Sequence, residues 1–196
     1  MKKIIGVDCD EVLFPLKQPL YDFINELKGV NLNWRSSNYD FGIELGLSYE
    51  ERVGLYNTFV WANKLEEIKP YPNAFEGMKE LKKYFDLVLI TSRQNFVREK
   101  TEKSLEKYFP KIFSYIEIGN HHNLFEKNNS RTKLEMCRLR NVDLLIEDQT
   151  KYAEELNGEI PMILFDQPWN QGFKRKNVYR AKDWEEVVKM TKEILK

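Results

Sequence analysis

The sequence predicts an α/β fold: a parallel sheet sandwiched by helices, with a small all-α segment inserted after the first strand. Three observations carry that expectation. Short apolar runs recur at Ile4 to Val7, Asp86 to Ile90, Val142 to Ile146 and Pro161 to Phe165, separated by amphipathic stretches. Such alternation builds a parallel sheet covered on both faces. Three of the runs end in polar groups, and the carboxyl edge of an open α/β sheet is where ligands bind. Residues 16–70 show helical periodicity and no clear strand. The expected organisation is therefore a core of residues 1–15 and 71–196 and a helical insertion of residues 16–70.

The elements follow in order. Leu16, Leu20, Phe23, Ile24 and Leu27 recur at helical spacing, and Gly29 supplies a stop. Residues 31–38 are polar and turn-like. Ser48 with Glu51 three later has the form of a capping box, and Val53, Tyr56, Asn57 and Val60 continue a helix. Pro70-Tyr71-Pro72 punctuates the end of the insertion. A helix is then predicted over 74–84, a strand over 86–90, a helix over 96–108 and a short strand over 112–118. A polar loop over 119–130 carries His121-His122. A helix over 132–140, a strand over 142–146, a helix over 152–156 and a strand over 161–165 follow. Val178-Tyr179 reads as an edge segment, and Asp183 caps a last helix reaching Leu195.

Composition narrows the function. The chain has 196 residues, enough for a full core and a small lobe. Lys plus Arg and Asp plus Glu are both 31, so the formal charge is zero, which argues against nucleic-acid binding. No apolar run approaches the roughly 20 residues of a membrane span. The first strand begins at the start of the chain, so no signal peptide is expected. Cys9 and Cys137 do not suggest a disulfide framework, and a cytoplasmic location is expected.

The chemistry gathers at the strand ends. The first run stops in Asp8-Cys9-Asp10-Glu11, and carboxylates that close repel unless a cation sits among them. A hard divalent cation, Mg²⁺ where phosphate is handled, meets that need. The second run ends in Thr91-Ser92-Arg93 and the third in Glu147-Asp148, while Lys133 opens the helix before the third. Taken singly, Thr91-Ser92 is a helix cap, Lys133 a surface charge and Glu147-Asp148 a turn. Together they can surround a phosphate with hydroxyl donors, one ammonium and a metal-binding carboxylate set. His121-His122 has Glu117 and Glu126 only at a distance and reads as a solvated loop.

This ordered set, Asp-x-Asp, Thr/Ser, Lys and an acidic pair, resembles the four motifs of the haloacid dehalogenase (HAD) phosphohydrolase superfamily. The resemblance implies a HAD-like, Rossmann-like core. It implies that Asp8 is the nucleophile forming an aspartyl-phosphate and Asp10 the general acid/base. It further implies that Thr91, Ser92 and Lys133 hold the phosphate. Asp8, Asp148 and the main-chain carbonyl of Asp10 then hold Mg²⁺, with Glu147 in support. Residues 16–70 become a cap over the site.

Over most of its length the chain also resembles the 5′(3′)-deoxyribonucleotidase family, in Pro70-Tyr71-Pro72-Asn73-Ala74, in LITS, in the TK helix start, in DLLIED and in Asp183-Trp184. That implies a small-molecule substrate, a (deoxy)nucleoside monophosphate, with a cap aromatic stacked on its base. Most aromatics of the insertion are expected to be its own core; Phe41 and Trp61 are the substrate-side candidates. Two residues depart from the family. Glu11 stands where Gly is usual, and Arg93 stands where Pro is usual. Arg93 is expected to contact phosphate or sugar, or to neutralise Glu11. The alternatives are a phosphatase of another small phosphate monoester and a catalytically silent binding protein of the same fold.

Overall fold

The computed structural model describes residues 2–36, 38–121 and 129–196. Its strands are β1 (Ile4–Val7), β2 (Asp86–Thr91), β3 (Tyr115–Ile118), β4 (Leu144–Glu147), β5 (Met162–Phe165) and β6 (Val178–Ala181). They form one parallel sheet in the order β3-β2-β1-β4-β5-β6. The chain steps outward from β1 to β2 and β3, then returns to β4 on the other side of β1. The crevice at the carboxyl ends of β1 and β4 is thus the switch point where α/β sheets bind ligands. The register aligns the ends: Val7 pairs with Leu89 on one side and with Ile146 on the other.

Between β1 and β2 the described residues form helices α1 (Lys17–Lys28), α2 (Phe41–Glu44) and α3 (Tyr49–Trp61) and a 3-10 turn, Lys64–Glu67. Gly29 ends α1 at φ 65°, the left-handed conformation glycine adopts freely. Asp40 starts α2 by accepting from Gly42 N at 2.8 Å. Ser48 and Glu51 start α3 as a reciprocal capping box. The helices pack through Tyr21 on Phe41, with ring centroids 6.0 Å apart, and Phe23 on Phe59 at 5.5 Å. Entry and exit of the insertion are tied where Tyr71 N donates to Leu13 O at 2.8 Å.

The remaining helices are α4 (Ala74–Lys82), α5 (Arg98–Tyr108), α6 (Lys133–Leu139), α7 (Thr150–Leu156) and α8 (Trp184–Ile194). The central strands β1, β2, β4 and β5 are buried along nearly their whole length, as a doubly covered sheet requires, while the edge strands β3 and β6 expose Tyr115 and Tyr179. Leu87 and Leu89 join a core with Met78, Leu105 and Val187 of α4, α5 and α8. Val88 and Ile90 join a second core with Met136, Cys137 and Leu156 of α6 and α7. Gly6 lets this second layer close on β1, since a Cβ there would lie 3.1 Å from both Ile90 and Leu145.

Several expected elements differ by a residue or more at their ends, two of them with a visible cause. β3 begins at Tyr115 rather than at Ile112, because Ile112 N donates back to Phe109 O in a turn and Phe113 packs against the Phe109 ring. The helix expected over 96–108 opens as a 3-10 turn, Asn95–Val97, before α5.

Trp184 joins three parts of the core. It is 1% exposed, its ring lies 6.0 Å from that of Phe165, and its Nε1 donates to Val12 O at 3.2 Å. Trp184→Ala is expected to cost about 3–5 kcal/mol of stability, the usual range for emptying such a site. Denaturant unfolding checks this; a loss below about 1 kcal/mol would contradict the packing described.

Candidate active site

The strand ends bring most of the expected groups to one place. Asp8 follows β1, and its N–H donates to Ile146 O at 2.9 Å, so the sheet ladder fixes its backbone. Glu147 ends β4 and Asp148 follows it. Lys133, the first residue of α6, is placed by a capping box between Thr132 and Glu135. Its ammonium donates to Asp8 Oδ1 at 2.6 Å and to Glu147 Oε2, and it lies 4.3 Å from the centroid of the Tyr152 ring. All four of these charged side chains are buried.

Each acid has further partners. Glu147 Oε1 accepts from the N–H groups of Asp148 and Gln149 at 3.1 and 3.0 Å. Asp148 Oδ2 accepts from Trp169 Nε1 at 2.9 Å. Burial first, then the charge of Glu147, pushes Asp8 up to about 7 against the pull of Lys133. Burial, then Glu147 and Asp8, likewise raises Asp148 well above the carboxylate range. Burial disfavours the Lys133 charge, but Asp8 and Glu147 outweigh it and hold the amine protonated.

Ligand oxygens of Asp8, Glu147 and Asp148 lie within 4.8 Å of one another. This set is all oxygen, and three carboxylates face a single ammonium. These residues fit a hard divalent cation, which supplies the missing positive charge. Thr91 lies beside them, its Oγ1 accepting from Arg93 N at 3.3 Å, and the Ser92 hydroxyl is hydrogen-bonded to Tyr152.

Three expectations need correction. Arg93 does not meet Glu11; it forks onto Asp10, with Nη2 to Oδ1 at 2.6 Å and Nε to Oδ2 at 3.0 Å. Both oxygens of the Asp10 carboxylate thus accept from Arg93. Glu11 lies beneath the entry to α1, where Oε1 accepts from Lys17 N at 2.7 Å, and its backbone is left-handed at φ 58°. A glycine there is free of that strain, which costs an L-residue about 1–2 kcal/mol. Trp61 is 68% exposed and away from the cavity: the cavity-facing residues of α3 are Tyr49, Arg52, Val53 and Tyr56, and Trp61 falls on another helical face. His121 is not simply solvated, since its Nε2 pairs with Arg131 O at 2.7 Å and its ring reaches the cavity. His122 and Glu126 lie outside the described residues. Glu117 is paired with Arg131 and Arg140.

Above the charged floor is a cavity of about 260 Å³. Tyr21, Phe41, Val53 and Tyr56 of the insertion line it as well, so Phe41 is among the cavity residues. Sequence reasoning missed Lys17. Its ammonium lies 4.4 Å from the Trp169 ring centroid and 5.0 Å from that of Tyr21, and it donates to Asn38 O at 2.7 Å. Burial pushes it down to about 8. The signal was present, because Lys17 shares the spacing of Leu20, Tyr21 and Ile24 on the inner face of α1.

A six-stranded parallel sheet whose carboxyl edge carries Asp8, Lys133 and Glu147-Asp148 defines the class: a HAD-superfamily hydrolase fold. Solved structures agree. A haloacid dehalogenase-like hydrolase from Streptococcus pneumoniae, SP0104, superposes with a TM-score of 0.70 at 15% identity, covering 97% of this chain and 98% of that one. A structure described as a predicted phosphatase from Clostridium acetobutylicum gives 0.71 at 18% identity over 98% and 99%. The family follows from the sequence match: over residues 2–195 the chain fits the family described as 5′ nucleotidase, deoxy (pyrimidine), cytosolic type C protein (NT5C), and it belongs to that family. The protein called "Putative nucleotidase YqfW" of Bacillus subtilis is 25% identical over 94% of this chain and 91% of its own length. "Putative nucleotidase BH1399" of Halalkalibacterium halodurans is 27% identical over 82% and 77%. Among the described residues no helix is long and apolar enough to cross a membrane.

The raised carboxyls of Asp8 and Asp148 give a pH test. They bind protons more tightly folded than unfolded, so between about pH 4, where unfolded carboxyls titrate, and about pH 7, their contribution falls as pH rises. In the presence of chelator, Asp148→Asn is expected to gain stability relative to the parent across that window, read by paired thermal melts. Mg²⁺ is expected to raise the Tm of the parent at pH 7 more than that of the variant. A stability difference that stays flat with pH, with no response to Mg²⁺, would contradict this electrostatic picture.

Proposed function

We propose that this protein is a Mg²⁺-dependent phosphomonoesterase of nucleoside monophosphates, with residues 16–70 acting as a cap over the site. The observation that carries the reading is a single cavity lined both by Asp8, Thr91, Lys133 and Asp148 and by Tyr21, Phe41 and Tyr56 of the insertion. A phosphate suits the first group and a flat, weakly polar base the second. The nucleotidase family supports the substrate class.

In this reading, Asp8, Asp148 and the main-chain carbonyl of Asp10 would hold Mg²⁺, with Glu147 keeping Lys133 in place. The ion supplies positive charge against the phosphate oxygens, and magnesium is named as bound in a structural neighbour, YfnB of Bacillus subtilis. Lys133 engages Asp8 Oδ1, and Asp8 uses its other oxygen to attack phosphorus. The bond from phosphorus to the leaving alkoxide breaks as Asp10 delivers a proton to that oxygen. Asp10 then takes a proton from water, whose oxygen attacks the aspartyl-phosphate, releasing inorganic phosphate and restoring Asp8. Thr91, Ser92 and Lys133 donate to the phosphate oxygens as charge redistributes. A pocket of apolar groups rejects an added hydroxyl only modestly, so a preference for deoxyribose is expected to be partial. Cys9 and Cys137 are both free thiols, which suits work in a reducing cytoplasm.

The test is phosphate release from a panel of ribo- and deoxyribonucleoside 5′- and 3′-monophosphates beside a generic aryl phosphate. Turnover of nucleotides is expected to vanish in Asp8→Asn with the fold intact, and to stop in chelator and return with Mg²⁺. Turnover of the aryl phosphate without any nucleotide would keep the phosphatase and overturn the substrate. Undiminished turnover by Asp8→Asn would overturn the mechanism.

A further inference from the structure

We propose that Arg93 is a positioning residue for the reaction, acting through Asp10 rather than on the substrate. The inference rests on the phosphomonoesterase reading above, in which Asp10 carries protons to the leaving group and from water.

The geometry is that of a clamp held from behind. The Arg93 side chain is 3% exposed and that of Asp10 is 16% exposed, so their ion pair is largely removed from water. Nη2 and Nε together engage both oxygens of Asp10. A planar fork on a planar carboxylate fixes distance and also the plane and direction of the acid, which a point charge cannot do. On the far side, Nη1 donates to Thr101 Oγ1 at 2.9 Å, and that hydroxyl donates to Val97 O at 2.9 Å within the first turn leading into α5. Thr101 is fully buried. The backbone of Arg93 is fixed too, by Thr91 Oγ1 and by Asn120 N, which donates to Arg93 O at 3.0 Å.

The same facts argue against a direct role on phosphate. Nε and Nη2 are directed to Asp10 and Nη1 to Thr101, in a guanidinium that is itself buried. The alternative partner, Glu11, is held by Lys17 N instead. Asp10 also needs an anchor. It stands two residues from Asp8, and an unanchored carboxylate there would be driven off by its neighbour's charge. Arg93 follows Thr91 by two residues, so the end of β2 supplies both a phosphate donor and the anchor for the proton carrier of β1.

The experiment compares the parent, Asp10→Asn, Arg93→Ala, Arg93→Lys and the Arg93→Ala/Asp10→Asn double variant on one nucleoside monophosphate with Mg²⁺. Arg93→Ala is expected to lower kcat by about 10²-fold, the scale of a lost general acid/base, while KM stays within about threefold. Arg93→Lys recovers little. Added guanidinium ion restores part of the activity of Arg93→Ala and none of the double variant. The double variant is no slower than Asp10→Asn alone, since the two act as one unit. A raised KM at unchanged kcat would make Arg93 a phosphate ligand and overturn the proposal. So would a double variant whose loss equals the product of the single losses. Should Arg93→Ala not fold, Arg93→Lys and Thr101→Val carry the test. Both are expected to lower kcat with KM kept, and parental kcat in both overturns the proposal. Asp8-dependent turnover in the parent with full activity in the Arg93 variants would sink this inference alone. No Asp8-dependent turnover of any phosphate monoester in the parent would sink the phosphatase reading and this inference with it.

Discussion

Lys133 between Asp8 and Glu147 is the interaction on which the site depends. Three carboxylates converge where β1 and β4 end, out of water, in a place where charge is costly. A buried ion pair of this kind is weak evidence for stability, and removing one partner is destabilising by about 3–5 kcal/mol. Its value lies in what it permits. One ammonium satisfies part of the negative charge, and under the proposed function a bound cation would balance the remainder. The parallel sheet makes this possible because its ladder pairs Val7 with Ile146, so that Asp8 and Glu147 follow side by side at the ends of β1 and β4.

A second layer of contacts ties the helical insertion to this centre. Glu11 accepts from the first N–H of α1, and Gln167 Nε2 donates to Glu11 O at 3.0 Å. Lys17, the residue that gives that N–H, reaches Trp169, and Trp169 donates to Asp148. Tyr39 meets the same indole edge-on at 5.2 Å. The wall of the cavity and the acid cluster thus share a continuous set of contacts through the loop after β5. The left-handed Glu11 makes a buried hydrogen bond to Lys17 N that a glycine cannot make, and burial holds its carboxyl well above the usual carboxylate range.

How much of this could be read from the sequence depended on distance along the chain. Local signals were legible. The Ile4 to Val7 run stopping at Asp8, the Ser48–Glu51 box, the Gly29 stop and the Asp183 cap each depend on residues within a turn or two, and each is present. The convergence of Asp8, Thr91, Lys133 and Asp148 was legible because parallel topology sends every strand end to the same edge. Pairings across the fold were not. Arg93 and Asp10 are 83 residues apart, and nothing in either segment says which acid the guanidinium will choose. Trp169 sits in a loop with no periodicity to reveal its direction. Trp61 looked like a ligand platform because it is aromatic, but helical geometry turns it away from the face carrying Tyr49, Arg52, Val53 and Tyr56.

The most direct test of Asp8 as the attacking group is to trap what it forms. The protein is mixed with a nucleoside monophosphate labelled in its phosphate and quenched in acid within one turnover, and the digest is read by mass spectrometry. The account predicts a hydroxylamine-labile phosphoryl group on the peptide that contains Asp8, absent from Asp8→Asn. Phosphate release at the parental rate with no phosphorylated peptide, or with the label on another residue, would contradict it.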